Sequence, residues 1–372
     1  MPRLAFSLAL VSIFFATTCW LDADPVKAVR PGECGPNGCM EGPDFKTAAR
    51  ACVPGICGQV LDYTCNHGTD NRVFSPSLGT KRDLYVYLPP GYDPSKKYPA
   101  VLYLHGVLTD EKSLIDHLVH PLDQAICSGR LQPIIVVAPD GSITGSPGRY
   151  DPGSFYINGP RGRFQEWIVN DTWQFVLARF SVHPDRRARV LCGVSMGGFG
   201  AYNIALKNPD KFGTVIGVLP ALNLRWVDCH GDYMADFDPC CWGWRNNLSD
   251  PCEILGDFGI IKVRMKDFIY PVFGSGDEAL RLSSEENPIE LLDRVNLQPG
   301  SLKMFIGVAC QDEFNLDAQA LSFIYRLREK GLRGDADVLT FKYGHHSERT
   351  GKQMLPHVID WLASVLASAS IQ

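Results

Sequence analysis

From residue 84 onward short apolar runs recur along the chain: "LYVYL" (84–88), "AVLYLH" (100–105), "IIVVA" (134–138), "VLCGVS" (190–195), "TVIGVL" (214–219), "KMFIGVA" (303–309) and "VLTFKY" (338–343). Most are continuous rather than alternating, as strands covered on both faces should be. Longer amphipathic stretches separate them and predict helices near 113–127, 165–180, 197–207, 317–330 and 351–367, the fourth closed by Gly331 as a C-cap. Alternating β and α over residues 81–372 predicts an α/β protein with a mostly parallel central sheet flanked by helices. Two regions depart from the rhythm. Residues 24–80 are rich in Gly, Pro and Cys with little periodicity and read as an extension stapled by disulfides. Residues 222–275 carry four cysteines and Trp226, Trp242 and Trp244, and read as an inserted cap beside a site, or a braced surface loop. Neither internal repeats nor low-complexity tracts occur.

The first residues change where this domain is expected to work. Arg3 followed by the 13-residue apolar stretch "LAFSLALVSIFFA" (4–16) reads as a secretory leader spanning 1–23, too short to cross a bilayer comfortably. A secreted or periplasmic location follows, with no stable membrane insertion once the leader is removed. The alternative for this stretch is an anchoring helix. Of thirteen cysteines, the twelve that lie behind the leader point to disulfides rather than zinc. The gaps in Cys34/Cys39 and Cys52/Cys57 are loose for a zinc knuckle, and no paired histidines accompany them. No metal and no cofactor are therefore expected. Connectivity is not legible, although neighbouring Cys240 and Cys241 should take different partners. Net charge is −5 with no basic block, which argues against a nucleic-acid partner.

Chemistry concentrates at Gly193-Val194-Ser195-Met196-Gly197, a G-x-S-x-G between a β-run and a helix. A sharp strand-to-helix turn strains the serine, and side chains two residues to either side would clash; glycine removes them. The following helix aims its first amides at the turn, where an oxyanion would form. A nucleophilic serine needs a base and an orienting acid, in the chain order Ser, acid, His. Asp312 lies just past one strand, with Glu313 as its nearest rival and Asp317 read as a cap of the next helix. His345 and His346 lie just past the last strand. Strand ends converge at one edge of a parallel sheet, so these loops can meet.

"GVSMGGFGAYNIALKNPDKF", "YLHGV", "VHPDRRARVLCGVSMGG", "NPIELL" and the terminal "GHHSERTGKQMLPHVIDWL" together resemble the esterase D / feruloyl esterase branch of the α/β-hydrolases, similar to family 1 carbohydrate esterases, over residues 81–367. The resemblance implies an α/β-hydrolase fold with Ser195 as nucleophile, Asp312 as acid and His346 as base. His345 stands where the family usually has glycine. It further implies an oxyanion hole from the amides of Met196 and Val107, the latter in the "LHGV" loop, where His105 is read as a structural turn residue. "RYDPGSFYINGP" (149–160) offers Tyr150, Phe155 and Tyr156 to either a cleft or the core.

The expected activity is a serine carboxylesterase working through an acyl-enzyme, on small-molecule or polysaccharide-linked esters such as feruloyl or acetyl groups. The alternatives are an acyltransferase of the mycolyltransferase-like type, a peptidase, and a non-catalytic hydrolase-fold binding protein. A binding protein would typically lack one member of the constellation, and here all three positions carry competent residues.

Overall fold

The apolar runs become strands of one nine-stranded sheet, the last of them at its edge, in a computed structural model that describes residues 49–148 and 151–368. In chain order its strands are β1 (Ala49–Ala51), β2 (Gln59–Tyr63), β3 (Leu84–Leu88), β4 (Ala100–Leu104), β5 (Ile135–Pro139), β6 (Arg189–Val194), β7 (Thr214–Val218), β8 (Lys303–Gln311) and β9 (Ala336–His345). They lie side by side as β1-β2-β3-β5-β4-β6-β7-β8-β9. Every neighbour from β5 through β9 pairs in parallel, while β1, β2 and β3 form an antiparallel edge. Strands β3, β4, β5 and β7 are buried at every residue, which is why their sequences do not alternate.

Helices cover both faces. Residues alternate along β4: Val101 and Tyr103 join one apolar layer with α1 (Val119–Cys127) and the helix Glu348–Ser368. Leu102 and Leu104 face the other layer with α2 (Trp173–Arg179), α3 (Met196–Lys207), and the helices Pro288–Arg294 and Leu316–Glu329. We number these α4 (Pro288–Arg294), α5 (Leu316–Glu329) and α6 (Glu348–Ser368). The chain thus has the α/β-hydrolase architecture, a mostly parallel sheet flanked by helices.

The sheet runs across the compositional boundary at residue 81. β2 pairs with the whole of β3, Gln59 opposite Leu88 through Tyr63 opposite Leu84, and buries Val60 and Leu61. The segment "QVLDY" is short, and its Gly- and Cys-rich surroundings hide it from periodicity. Part of the presumed extension is therefore an integral edge of the core. The leader, Cys34, Cys39 and Tyr150 lie outside the described residues.

The segment 222–275 is built from two hairpins, Trp226–Asp228 with Trp242–Trp244 and Ile254–Phe258 with Ile261–Arg264, and two short helices. A disulfide joins Cys229 to Cys241 across the turn region of the first hairpin. Tyr233, Leu255, Met265, Ile269 and Phe273 from this segment are buried in the main core. The segment is packed into the domain rather than draped over it.

Candidate active site

Three strand ends build the site. Between β6 and α3 the chain turns at Ser195, whose φ of 54° and ψ of −117° lie where L-residues rarely sit. Its N–H donates to the carbonyl of Val218 at 2.9 Å, which pins the strained corner to β7. The flanking glycines are dictated by contact. A Cβ on Gly193 would fall 2.1 Å from the Gly197 carbonyl oxygen, and one on Gly197 would fall 1.9 Å from the Leu104 carbonyl oxygen. Ser195 remains partly exposed at the head of a buried helix.

The second and third strand ends meet through an irregularity in pairing. β8 and β9 run in register to Ala309 opposite Phe341, then shift, so that Gln311 pairs with His345. The residues that follow, Asp312 and His346, consequently emerge side by side. His346 Nδ1 lies 2.7 Å from Asp312 Oδ2, and His346 Nε2 lies 2.9 Å from Ser195 Oγ. The other carboxylate oxygen of Asp312 accepts the N–H of Phe314 at 2.9 Å, which fixes the acid. Both His346 and Asp312 are buried. Burial alone would pull the imidazolium pKa down; the charge and hydrogen bond of Asp312, helped by the charge of Glu313, outweigh it and leave His346 above the ordinary histidine value.

The rival acid and rival base of the sequence form a pair of their own. Glu313 Oε1 lies 2.8 Å from His345 Nδ1, and Glu313 Oε2 accepts the backbone N–H of His346 at 2.8 Å. Asp257 N–H donates to the Glu313 carbonyl at 2.8 Å, tying this outer pair to the inserted segment. Asp317 does not cap α5. Asn315, in a left-handed conformation, holds that position, and Asp317 sits one residue inside the helix, its carboxyl pushed up to about 6 by burial and by Asp312.

The N–H groups of Val107 and Met196 have no acceptor among the described residues. Both belong to buried residues that line the same cleft as Ser195. His105 is held away from the reacting atoms. Its Nε2 accepts the Gly141 N–H at 2.8 Å, so the ring proton is on Nδ1 and points to the Gly106 carbonyl at 2.9 Å. This histidine shapes the loop that presents Val107.

The cleft beyond Ser195 is small, about 60 Å³, and walled by apolar and aromatic side chains. Phe155 and Phe314 come from the main domain, and Tyr233, Leu255, Phe268 and Ile269 from the inserted segment. Gln319 is its remaining polar wall. Both ends of its amide are engaged, donating to Tyr233 Oη at 3.1 Å and accepting the Asn223 N–H at 3.2 Å. The wall residues from the inserted segment were not individually legible in the sequence, because that segment has no periodicity. The adjacent aromatics of 149–160 divide: Phe155 lines the cleft, whereas Tyr156 is buried and donates to the His105 carbonyl at 3.1 Å. Cys192, on the nucleophile strand, faces a small apolar void on the other side of the sheet, where burial pushes its thiol up to about 12.

Comparison with known proteins agrees with this architecture. Residues 75–264 match the family model described as "Putative esterase". The chain is 30% identical over 278 residues to an S-formylglutathione hydrolase of Arabidopsis thaliana, covering 67% of this chain and 91% of that one. It is 33% identical over 182 residues to the S-formylglutathione hydrolase of Mus musculus, covering 44% and 61%. Among solved structures, a ferulic acid esterase superposes with a TM-score of 0.61 at 18% identity, covering 84% of this chain and 99% of that one. The S-formylglutathione hydrolase of Agrobacterium tumefaciens gives 0.58 at 16% identity, covering 86% and 98%. At these identities the structural matches speak for the fold.

Proposed function

This chain belongs to the esterase family and is a carboxylic ester hydrolase; on that premise we propose that it works through a covalent acyl-enzyme on Ser195. The observation that carries the reading is the unbroken line Ser195 Oγ, His346, Asp312, at 2.9 and 2.7 Å, on a strained strand-to-helix corner. Ser195 Oγ attacks the ester carbonyl carbon while its proton passes to His346 Nε2. Asp312 keeps Nδ1 protonated and stabilises the imidazolium that results. Negative charge grows on the carbonyl oxygen, and the Met196 and Val107 amides donate to it. The tetrahedral species collapses, the C–O bond to the alcohol breaks, and His346 returns the proton to the leaving oxygen. A water molecule, deprotonated by His346, then attacks the acyl carbon; Ser195 leaves with the proton, and the acid is released. Glu313 holds the backbone of the base loop and contributes to the high basicity of His346.

The largely apolar and aromatic wall supports an uncharged, compact or aryl acyl group, with feruloyl or acetyl esters of polysaccharides as the substrate class. The leader at 1–23 and the Cys229–Cys241 disulfide support a secreted or periplasmic enzyme. A panel of feruloyl, acetyl and longer-chain esters, together with S-formylglutathione, tests the assignment. Highest kcat/KM on an aryl or acetyl ester, abolished in Ser195→Ala, is the expected outcome. Preference for the glutathione thioester would replace the substrate class while leaving the nucleophile standing. Transfer to an added alcohol in preference to water would make the protein an acyltransferase.

A further inference from the structure

On the face of the sheet opposite the catalytic cleft, a buried carboxylate gathers two cysteines. Asp123, on α1, is 3% exposed, and its oxygens are occupied. Oδ1 accepts the Gly58 N–H at 2.7 Å and the Tyr87 hydroxyl at 2.9 Å; Oδ2 accepts the Cys57 N–H at 2.8 Å and the Cys127 thiol at 3.6 Å. The carboxylate therefore clamps the turn before β2 against α1. Gly58 tightens the clamp, since a Cβ there would fall 2.6 Å from the Leu88 carbonyl oxygen. Asp123 and Cys127 are one helical turn apart and share a face. As a result the sulfurs of Cys57 and Cys127 and an Asp123 oxygen all lie within 4.8 Å of one another.

Three donor atoms this close match the spacing of a soft-metal site. The hydrogen bonds argue otherwise. Two amides, a phenol and a thiol already take the carboxylate lone pairs, and among the described residues no histidine joins the group. The surroundings also disfavour a thiolate at Cys127, whose pKa is pushed up to about 12 by its contact with Cys57, by burial and by the Asp123 charge. A neutral cross-link meets neither objection. We infer that Cys57 and Cys127 form a disulfide that staples the segment preceding β2 to α1. The chemistry is thiol–disulfide exchange with an oxidant of the disulfide class. A thiolate of the pair attacks the oxidant's S–S bond, forming a mixed disulfide and releasing one thiolate. The second cysteine, deprotonated, attacks the mixed disulfide at the protein sulfur, forming Cys57–Cys127 and releasing the other. Two protein thiols lose two protons and two electrons, and the oxidant becomes two thiols.

The bond would close a loop from 57 to 127 that contains β2, β3 and β4, so it should restrict the unfolded chain strongly. Its formation in the cell rests on the secreted reading; its geometry does not, and two preparations separate them. Full-length enzyme is made in an oxidising secretory compartment and, separately, in a reducing cytosol followed by exposure to glutathione disulfide. Peptide mapping without reduction should find Cys57 joined to Cys127 in both. Finding it only after the glutathione step would keep the cross-link and remove the secreted reading. In the double variant C57S/C127S, Tm should fall by on the order of 5 °C relative to the oxidised enzyme, with ester hydrolysis at 25 °C unchanged. Ready alkylation of both thiols after oxidation of the folded enzyme, or either one joined to another cysteine, overturns the inference. So does a stoichiometric metal whose removal by chelator, rather than reduction, lowers Tm.

Discussion

At the scale of single residues, the distances around His346 separate roles that the sequence leaves competing. Asp312 and Glu313 are adjacent carboxylates, and His345 and His346 adjacent imidazoles, so composition alone permits either pairing. Geometry assigns the inner pair to the serine and the outer pair to the loop. The deciding shift in pairing between Ala309 and Gln311 depends on how two distant segments align, which no local pattern encodes. Glu313→Gln should expose the outer pair's contribution. The proposed mechanism needs neutral His346, so it predicts that activity is lost as pH falls through the raised pKa. Removing the Glu313 charge lowers that pKa, so the acidic limb of the kcat/KM profile should move to lower pH, alongside a reduced plateau from the looser base loop. A profile that keeps its midpoint would show that Glu313 does not act on His346. Asp312→Asn, which allows the wrong tautomer, should reduce kcat by roughly a thousandfold or more with KM little changed.

At the scale of elements, most of the sheet and helices were readable because the inner strands β3, β4, β5 and β7 are apolar on both faces and the longer helices alternate apolar and polar faces. The nucleophile corner was readable for a different reason: its glycines are fixed by backbone contacts. Gly197→Ala would drive a Cβ into the Leu104 carbonyl, so β4 and α3 could not keep their spacing. A loss of about 2–3 kcal/mol is expected, with Tm lower by roughly 5 °C or more and activity lost together with it. An alanine variant of wild-type Tm and activity would mean that the turn is softer than its contacts imply. β2 escaped the sequence because five residues in Gly- and Cys-rich surroundings carry too little pattern; its partner β3 recruits it.

At the scale of the whole molecule, catalysis and selectivity have separate sources. The regular α/β framework supplies Ser195, Asp312 and His346, and the irregular segment 222–275 supplies much of the cleft wall that on the proposed reading meets the acyl group. The sequence suggested a cap beside the site, but its lack of period concealed which residues reach the cleft. Phe268→Ala, which removes a ring from this wall, should raise kcat/KM for longer-chain esters relative to acetyl ester several-fold, and an unchanged ratio would place acyl selection elsewhere. The proposal that governs all of this is that the hydroxyl of Ser195 becomes covalently bonded during turnover. Treatment of the intact enzyme with a fluorophosphonate, followed by peptide mass spectrometry, tests it most directly. The account predicts a single adduct on Ser195 that forms slowly in His346→Ala and not at all in Ser195→Ala, which should also be inactive. An adduct on another residue, or full ester hydrolysis by Ser195→Ala, would contradict it.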